Sequence, residues 1–214
     1  YPGRGQLLTV SGFYKKMKDA IEFATNPEQP LEAAPLNARE ATIKGVELEA
    51  RIIIGTLFKT PQSGILNKIT FYTNLALIKS SVVDKTVGDT SKVIDRPLQG
   101  QSPYVFNAGF NYQDDAKGWS VSLAGNRVGQ RIFIVGNIKN LSIWENGRTV
   151  IDLQIAKLLL KKRLEIKINA RDLFAQKLTF FEDNNDNKKY DKGDYIRWTR
   201  AYGRTFSVNF TYKF

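Results

Sequence analysis

The chain has no cysteine and no histidine. Without cysteine there is no disulfide framework, no thiolate nucleophile and no Cys-based metal site. Without histidine the commonest general base and the commonest metal ligand are both missing, which argues against a hydrolase or a zinc enzyme. No apolar run is long enough for a membrane helix, although a transmembrane strand needs only about ten alternating residues. The chain also lacks an initiating Met and a signal-peptide pattern. Tyr1 is followed at once by the turn sequence Pro2-Gly3-Arg4-Gly5. Tyr1 therefore reads as the tail of a strand outside this chain, and the whole as a C-terminal fragment of a longer protein.

What is present is a 214-residue chain, 42% hydrophobic, with a net charge of +11. Lys and Arg are dispersed, often singly at alternate strand positions. The one tight cluster, Lys161-Lys162-Arg163, falls where a turn is expected. A nucleic-acid footprint is a continuous basic face interleaved with aromatics, and nothing here has that form, so no nucleic-acid partner is expected.

The final stretch, Arg204 to Phe214, is the most informative. Phe206, Val208, Phe210, Tyr212 and Phe214 alternate with Thr205, Ser207, Asn209, Thr211 and Lys213. Side chains on a strand point to opposite faces in turn, so this is a two-faced strand. A free apolar strand is sticky in water. In a membrane barrel the same strand has a use, because its apolar face meets lipid.

Gly and Pro punctuation divides the chain into β segments at Leu7–Phe23, Ile43–Ile54, Ile69–Val82, Tyr104–Gln113, Trp119–Val135, Thr149–Leu160, Leu164–Phe181 and Arg204–Phe214. The alternation predicts that Val46, Leu48, Phe106, Phe110, Ile166, Ile168, Phe206, Val208 and Phe210 share one side of a single antiparallel sheet. Glu47, Asn107, Asn111, Lys167, Asn169, Ser207 and Asn209 take the other. The connections 114–118 and 161–163 are short. Those at 25–42, 84–103, 136–148 and 182–203 are long and polar, while 55–68 is long on the short side. Aromatics gather toward both ends of the segments: Tyr112, Trp119, Tyr212 and Phe214 near the short turns, and Tyr14, Tyr104 and Phe181 near the long loops. Alternation, loop asymmetry and the terminal Phe together predict an all-β fold. It is an antiparallel up-and-down transmembrane β-barrel segment, about eight strands of a larger barrel. A soluble β-barrel or sandwich that binds a ligand such as a carbohydrate, and a porin-like channel without a plug, remain alternatives on period two alone.

Four segments carry a resemblance: Ala41-Thr42-Ile43-Lys44-Gly45-Val46-Glu47-Leu48-Glu49-Ala50, Arg96-Pro97-Leu98-Gln99-Gly100-Gln101-Ser102-Pro103, Ala170-Arg171-Asp172-Leu173-Phe174-Ala175-Gln176-Lys177, and Tyr212-Lys213-Phe214. In order and spacing the chain resembles the C-terminal part of the barrel of TonB-dependent outer-membrane receptors. Asp172 and Ala175 stand where that family usually has Asn. The resemblance implies a non-enzymatic receptor wall, without a cofactor, in the cell outer membrane. It implies import of a substrate such as a ferric siderophore, cobalamin or an oligosaccharide. Its partners would be outer-membrane lipids, the imported substrate, and TonB gripping an N-terminal region absent here. The plug domain and the N-terminal strands would also lie outside residues 1–214; the largest such transporters have about 22 strands around a plugged lumen.

Site residues are less legible, and no catalytic or metal residue is assigned. Asp183 to Asp194 places oxygen side chains at calcium-loop spacing. However, Lys188 stands where such a loop needs Gly, and Asp194 where it needs Glu, so a solvated Asn/Asp-rich hairpin loop is the default reading. Glu47 and Glu49 share a face with Arg51; they suit lumen charges pairing across strands better than acid–base catalysis. Arg127, Arg131 and Arg171 are candidates to attract an anionic ligand or to pair with lumen carboxylates. Trp144 and Trp198 fall in predicted loops, where each can stack on a ligand or simply pack.

Overall fold

The computed structural model describes residues 5–26, 29, 32–61, 64–86, 89–137 and 140–214. Its strands are β1 (Leu7–Thr25), β2 (Ala33–Ile53), β3 (Ile69–Thr86), β4 (Asp89–Arg96), β5 (Tyr104–Asp114), β6 (Trp119–Val128), β7 (Arg131–Ile134), β8 (Ile143–Glu145), β9 (Arg148–Leu159), β10 (Leu164–Arg171), β11 (Leu178–Glu182), β12 (Tyr195–Arg200) and β13 (Thr205–Tyr212). The main sheet runs β1-β2-β3-β5-β6-β9-β10-β13, with β4 paired to β3 alone. Every pairing along it is antiparallel. This is the expected wall: each predicted segment supplies one strand of that path. β1 and β13 are its two ends and do not pair with each other.

Register settles which side each residue takes, because directly paired residues share a face. One row runs Phe71–Phe110–Leu123–Leu153–Ala170–Phe206 across the sheet. Leu48 meets Leu75, which meets Phe106, and Ile166 and Ile168 meet Phe210 and Val208. On the other face runs Thr70–Asn111–Ser122–Gln154–Asn169–Ser207. Asn169 Nδ2 donates to Ser207 Oγ at 3.1 Å, and Asn126 Nδ2 to Asn107 Oδ1 at 2.7 Å. The predicted facing therefore holds. It is the apolar face that lies bare within the sheet: Phe106, Phe110 and Leu123 on interior strands are 41%, 47% and 41% exposed.

The sheet is framed at both ends of that face. Tyr112, Trp119 and Tyr212 stand at the short-turn end, with Lys157 Nζ 4.6 Å from the Trp119 ring centroid. Tyr14 and Tyr104 stand at the other end. Phe181, expected among them, is fully buried in a second sheet instead.

That second sheet runs β7-β8-β11-β12. It repeats the neighbour order of the strands it grows from: β6 leads into β7, β8 into β9, β10 into β11 and β12 into β13. The predicted strands Trp119–Val135 and Leu164–Phe181 are thus each broken in two. The breaks fall at one level, at Gly129-Gln130, Asn146-Gly147, Asp172–Lys177 and Ala201–Arg204. Asp172 and Gly203 there take left-handed backbone conformations (φ +53° and +75°) that end regular pairing. Among the described residues the largest fully enclosed side chains, Phe180, Phe181 and Ile132, belong to this second sheet, while Glu22 and Val82 are enclosed on strands of the wall.

The predicted loops also fold further than expected. Most of 25–42 is strand: Ala33 to Thr42 pairs with β1 from Thr25 back to Lys16. The 84–103 connection holds β4, 136–148 holds β8, and 182–203 holds β12. The 55–68 connection carries a helical turn, α1 (Ile54–Leu57), and a 3-10 turn at Ile65–Lys68.

Candidate functional site

The polar face of the wall and the second sheet meet at the level of the strand breaks. A cavity of about 270 Å³ opens there, with Asn126, Arg131, Glu145, Arg148 and Tyr202 in its lining. Asn126 sits on the polar face opposite Val150. Arg131 and Glu145 are directly opposed in β7 and β8, and the guanidinium takes the carboxylate in a fork, Nη2 to Oε1 at 2.8 Å and Nε to Oε2 at 3.1 Å. Such planar, two-point pairs are the strongest ion pairs available to arginine. Arg148 opens β9, where its Nη2 donates to Asp172 Oδ2. Its guanidinium also lies 5.1 Å from the Tyr202 ring centroid.

Asp172 is held by the strand break itself, because its own N–H donates to Asp152 Oδ1 at 2.9 Å. Two atoms of this cluster, Arg148 Nε and Asp172 Oδ1, are buried without a hydrogen-bond partner. Arginines neutralised by neighbouring carboxylates and flanked by Asn and Tyr suit the reversible binding of a polar solute. Within the cluster, Glu145 and Asp172 each accept from a guanidinium group.

The sequence candidates fall in different places. Arg131 joins this cluster, where its carboxylate partner is Glu145 of the second sheet and not a carboxylate of the wall. Arg127 does not: it lies on the apolar face opposite Phe106, donating from Nε to Tyr104 Oη at 3.0 Å and from Nη1 to Thr149 Oγ1 at 2.7 Å. Arg171 is on the polar face opposite Thr205 and is exposed. Glu47, Glu49 and Arg51 share the polar face of β2, opposite Ala76, Asn74 and Tyr72. Instead of opposing charges, those three meet neutral partners, and none of them forms an ion pair among the described residues.

Trp144 and Trp198 are strand residues of β8 and β12, not loop residues. Trp198 stacks on Phe180 with centroids 4.8 Å apart, and Trp144 packs against Ala24, Ile132 and Val135. Both are held by packing.

The Asp183–Asp194 loop is closed on its own amides. Asp183 accepts from Asn187 N–H at 3.2 Å and from Lys188 N–H at 2.7 Å. Asp191 accepts from Gly193 N–H at 2.7 Å and from the Asn185 and Asn187 side chains. Those bonds, Gly193 N–H first, hold the Asp191 carboxyl below the usual carboxylate range. Residues 184–193 are exposed and join β11 to β12 as a hairpin loop.

Sequence reasoning missed Glu145, Arg148, Asp172 and Tyr202 as a group. The one local signal is that charged or Gly residues mark each strand break. Their convergence depends on the second sheet.

With the geometry in place, likeness to known proteins is informative. Residues 1–181 match the family described as TonB dependent receptor-like, beta-barrel. The chain belongs to that family, and its fold is that of a transmembrane β-barrel segment. Among solved structures it is similar to the ferric yersiniabactin uptake receptor FyuA from Yersinia pestis (19% identity, TM-score 0.62, 100% of this chain and 28% of that one). It is also similar to the copper transporter OprC (19%, 0.60, 100% and 30%) and to the ferric-catecholate import receptor Fiu from K12 E. coli (16%, 0.58, 99% and 26%). At these identities the likeness is one of fold. The chain spans less than a third of the length of each of these structures. No curated protein matches it.

Proposed function

We propose that this chain is the C-terminal part of the barrel wall of a TonB-dependent outer-membrane receptor, acting in energised uptake and not in covalent catalysis. Its apolar face meets lipid and its polar face lines the lumen. The second sheet stands outside the membrane above the cluster of Arg131, Glu145, Arg148 and Tyr202. Plug, N-terminal strands and the TonB-contacting region lie outside these residues. The carrying observation is the wall itself: one face of cross-strand apolar rows left bare, the other a ladder of Asn, Ser and Gln, in a chain of this family. A ferric siderophore is the substrate to test first, because similar structures include receptors named for ferric yersiniabactin and ferric catecholate. Cobalamin and oligosaccharides are the competing classes.

The test is uptake of iron-loaded siderophores by cells carrying the full-length receptor, with and without TonB, and by cells carrying residues 1–214 alone. Uptake is expected only from the full receptor with TonB. Uptake that persists without TonB points to an open channel and overturns the proposal.

A further inference from the structure

The bare face of the wall is not uniformly filled. Ala108 and Gly125 stand directly opposite one another in β5 and β6, in a band otherwise built of large side chains. Their small size leaves a cleft of about 290 Å³ whose lining includes Phe106, Phe110, Leu123 and Ile151. At one end of the cleft stand Arg127 and Thr149. Arg127 donates to Tyr104, one of the aromatics that frame the long-loop end, which places it at the far edge of the apolar band from the short turns.

A guanidinium facing lipid is costly unless it reaches the head-group level and meets an anion. Arg127 has no carboxylate partner among the described residues. Its Nε and one Nη1 hydrogen are used on Tyr104 and Thr149, which fix the plane of the group. Nη2 and the remaining Nη1 hydrogen stay free to grip an oxyanion. The same edge carries further positive charge: Lys44 and Lys79 are exposed, directly opposite, and without an acidic partner among the described residues.

We propose that the cleft over Ala108 and Gly125 binds an anionic phospholipid, the acyl chain lying in the cleft and its phosphate, not neutralised by a cationic head group, on Arg127. The inference rests on the reading of this face as lipid-facing. The geometry matches both parts of such a molecule: an apolar slot of about 290 Å³, ending at a preoriented cation.

Native mass spectrometry of the full receptor, titrated with phosphatidylglycerol or phosphatidylcholine of identical chains and with free glycerol phosphate, tests it. Phosphatidylglycerol should be retained at least tenfold better than phosphatidylcholine, and glycerol phosphate alone should not displace it. Arg127→Gln should bring the two lipids within about twofold of each other, while Arg127→Lys keeps part of the preference. Gly125→Leu should weaken both lipids by filling the slot. Equal retention of both lipids by the native receptor, or an undiminished preference in Arg127→Gln, overturns the site. So does binding of glycerol phosphate as tight as that of the lipid. Membrane fractionation separates the two levels: a receptor absent from the membrane defeats the underlying reading, whereas an inserted receptor without lipid preference defeats the lipid site alone.

Discussion

Glu22 takes both terminal nitrogens of Arg96, at 2.9 and 2.6 Å, across a sequence separation of 74 residues. The carboxylate is 1% exposed and also accepts the backbone N–H of Gln99 at 2.8 Å. Gln99 completes the join: its Nε2 donates to Phe23 O and Phe133 O, and its Oε1 accepts from Phe23 N–H. Val135 and Phe23–Thr25 then exchange backbone hydrogen bonds at 2.9 Å. The far end of the β1–β2 hairpin is thereby fastened to the segment before β5 and to the end of β7.

Removing the carboxylate leaves a largely buried guanidinium without its counter-charge. Glu22→Ala should destabilise this join by about 3–5 kcal/mol. Amide exchange around Phe23–Thr25 and Val135 should accelerate strongly, while the paired residues Val46 to Ile52 of the wall keep native protection. Unchanged exchange at Phe23–Thr25 contradicts the join.

The wall was legible in the sequence; the join was not. Alternation is sharp in Val46–Ile52, Tyr104–Tyr112 and Phe206–Tyr212 because one face is apolar and bare while the other is polar. Beyond the wall that contrast ends. Ala33 to Thr42 contains Pro35, Asn37, Arg39 and Glu40, and reads as loop although all of it but Arg39 pairs with β1. The arginines show the same limit. Arg127 and Arg131 look alike in sequence, but the break at Gly129-Gln130 places one on the apolar face and the other beside Glu145. Trp144 and Trp198 owe their burial to partners far away in sequence.

Gly109 supports a close contact on the polar face. A Cβ at this position lies 2.6 Å from the Leu123 carbonyl oxygen and 2.4 Å from Tyr72 Oη. Gly109→Val should cost about 1–3 kcal/mol through overpacking. Gly125→Ala should be far milder, since the nearest atom is the flexible end of Ile151 at 3.0 Å. Urea midpoints of the full receptor in lipid vesicles compare the two; equal losses contradict the packing described.

The Asp191 carboxyl is held below its ordinary pKa by Gly193 N–H, then by Asn185 and Asn187. A depressed carboxylate contributes order that is fully present above the unfolded-state value, about 4, and is lost as pH falls through the lower folded-state value. A spin label at Lys192 should stay restrained at neutral pH and become mobile under acid below about pH 4. Asp191→Asn should remove most of that pH dependence. Equal acid mobilisation in both proteins contradicts the role of Asp191.

Lipid contact on the apolar face has an energetic signature. Phe210→Arg should cost about 2–4 kcal/mol of stability in the bilayer, and Asn209→Arg much less. Reversible unfolding in vesicles reads the difference; equal costs count against a lipid-facing Phe210.

The alternation of faces in the membrane is the central claim, and a nitroxide scan of Phe206 through Thr211 in the full receptor in its native membrane tests it most directly. Labels at 206, 208 and 210 should be relaxed by lipid-soluble oxygen, and those at 207, 209 and 211 by a water-soluble nickel chelate, in strict period two. A flat profile, or oxygen access at 209 equal to that at 210, contradicts the account.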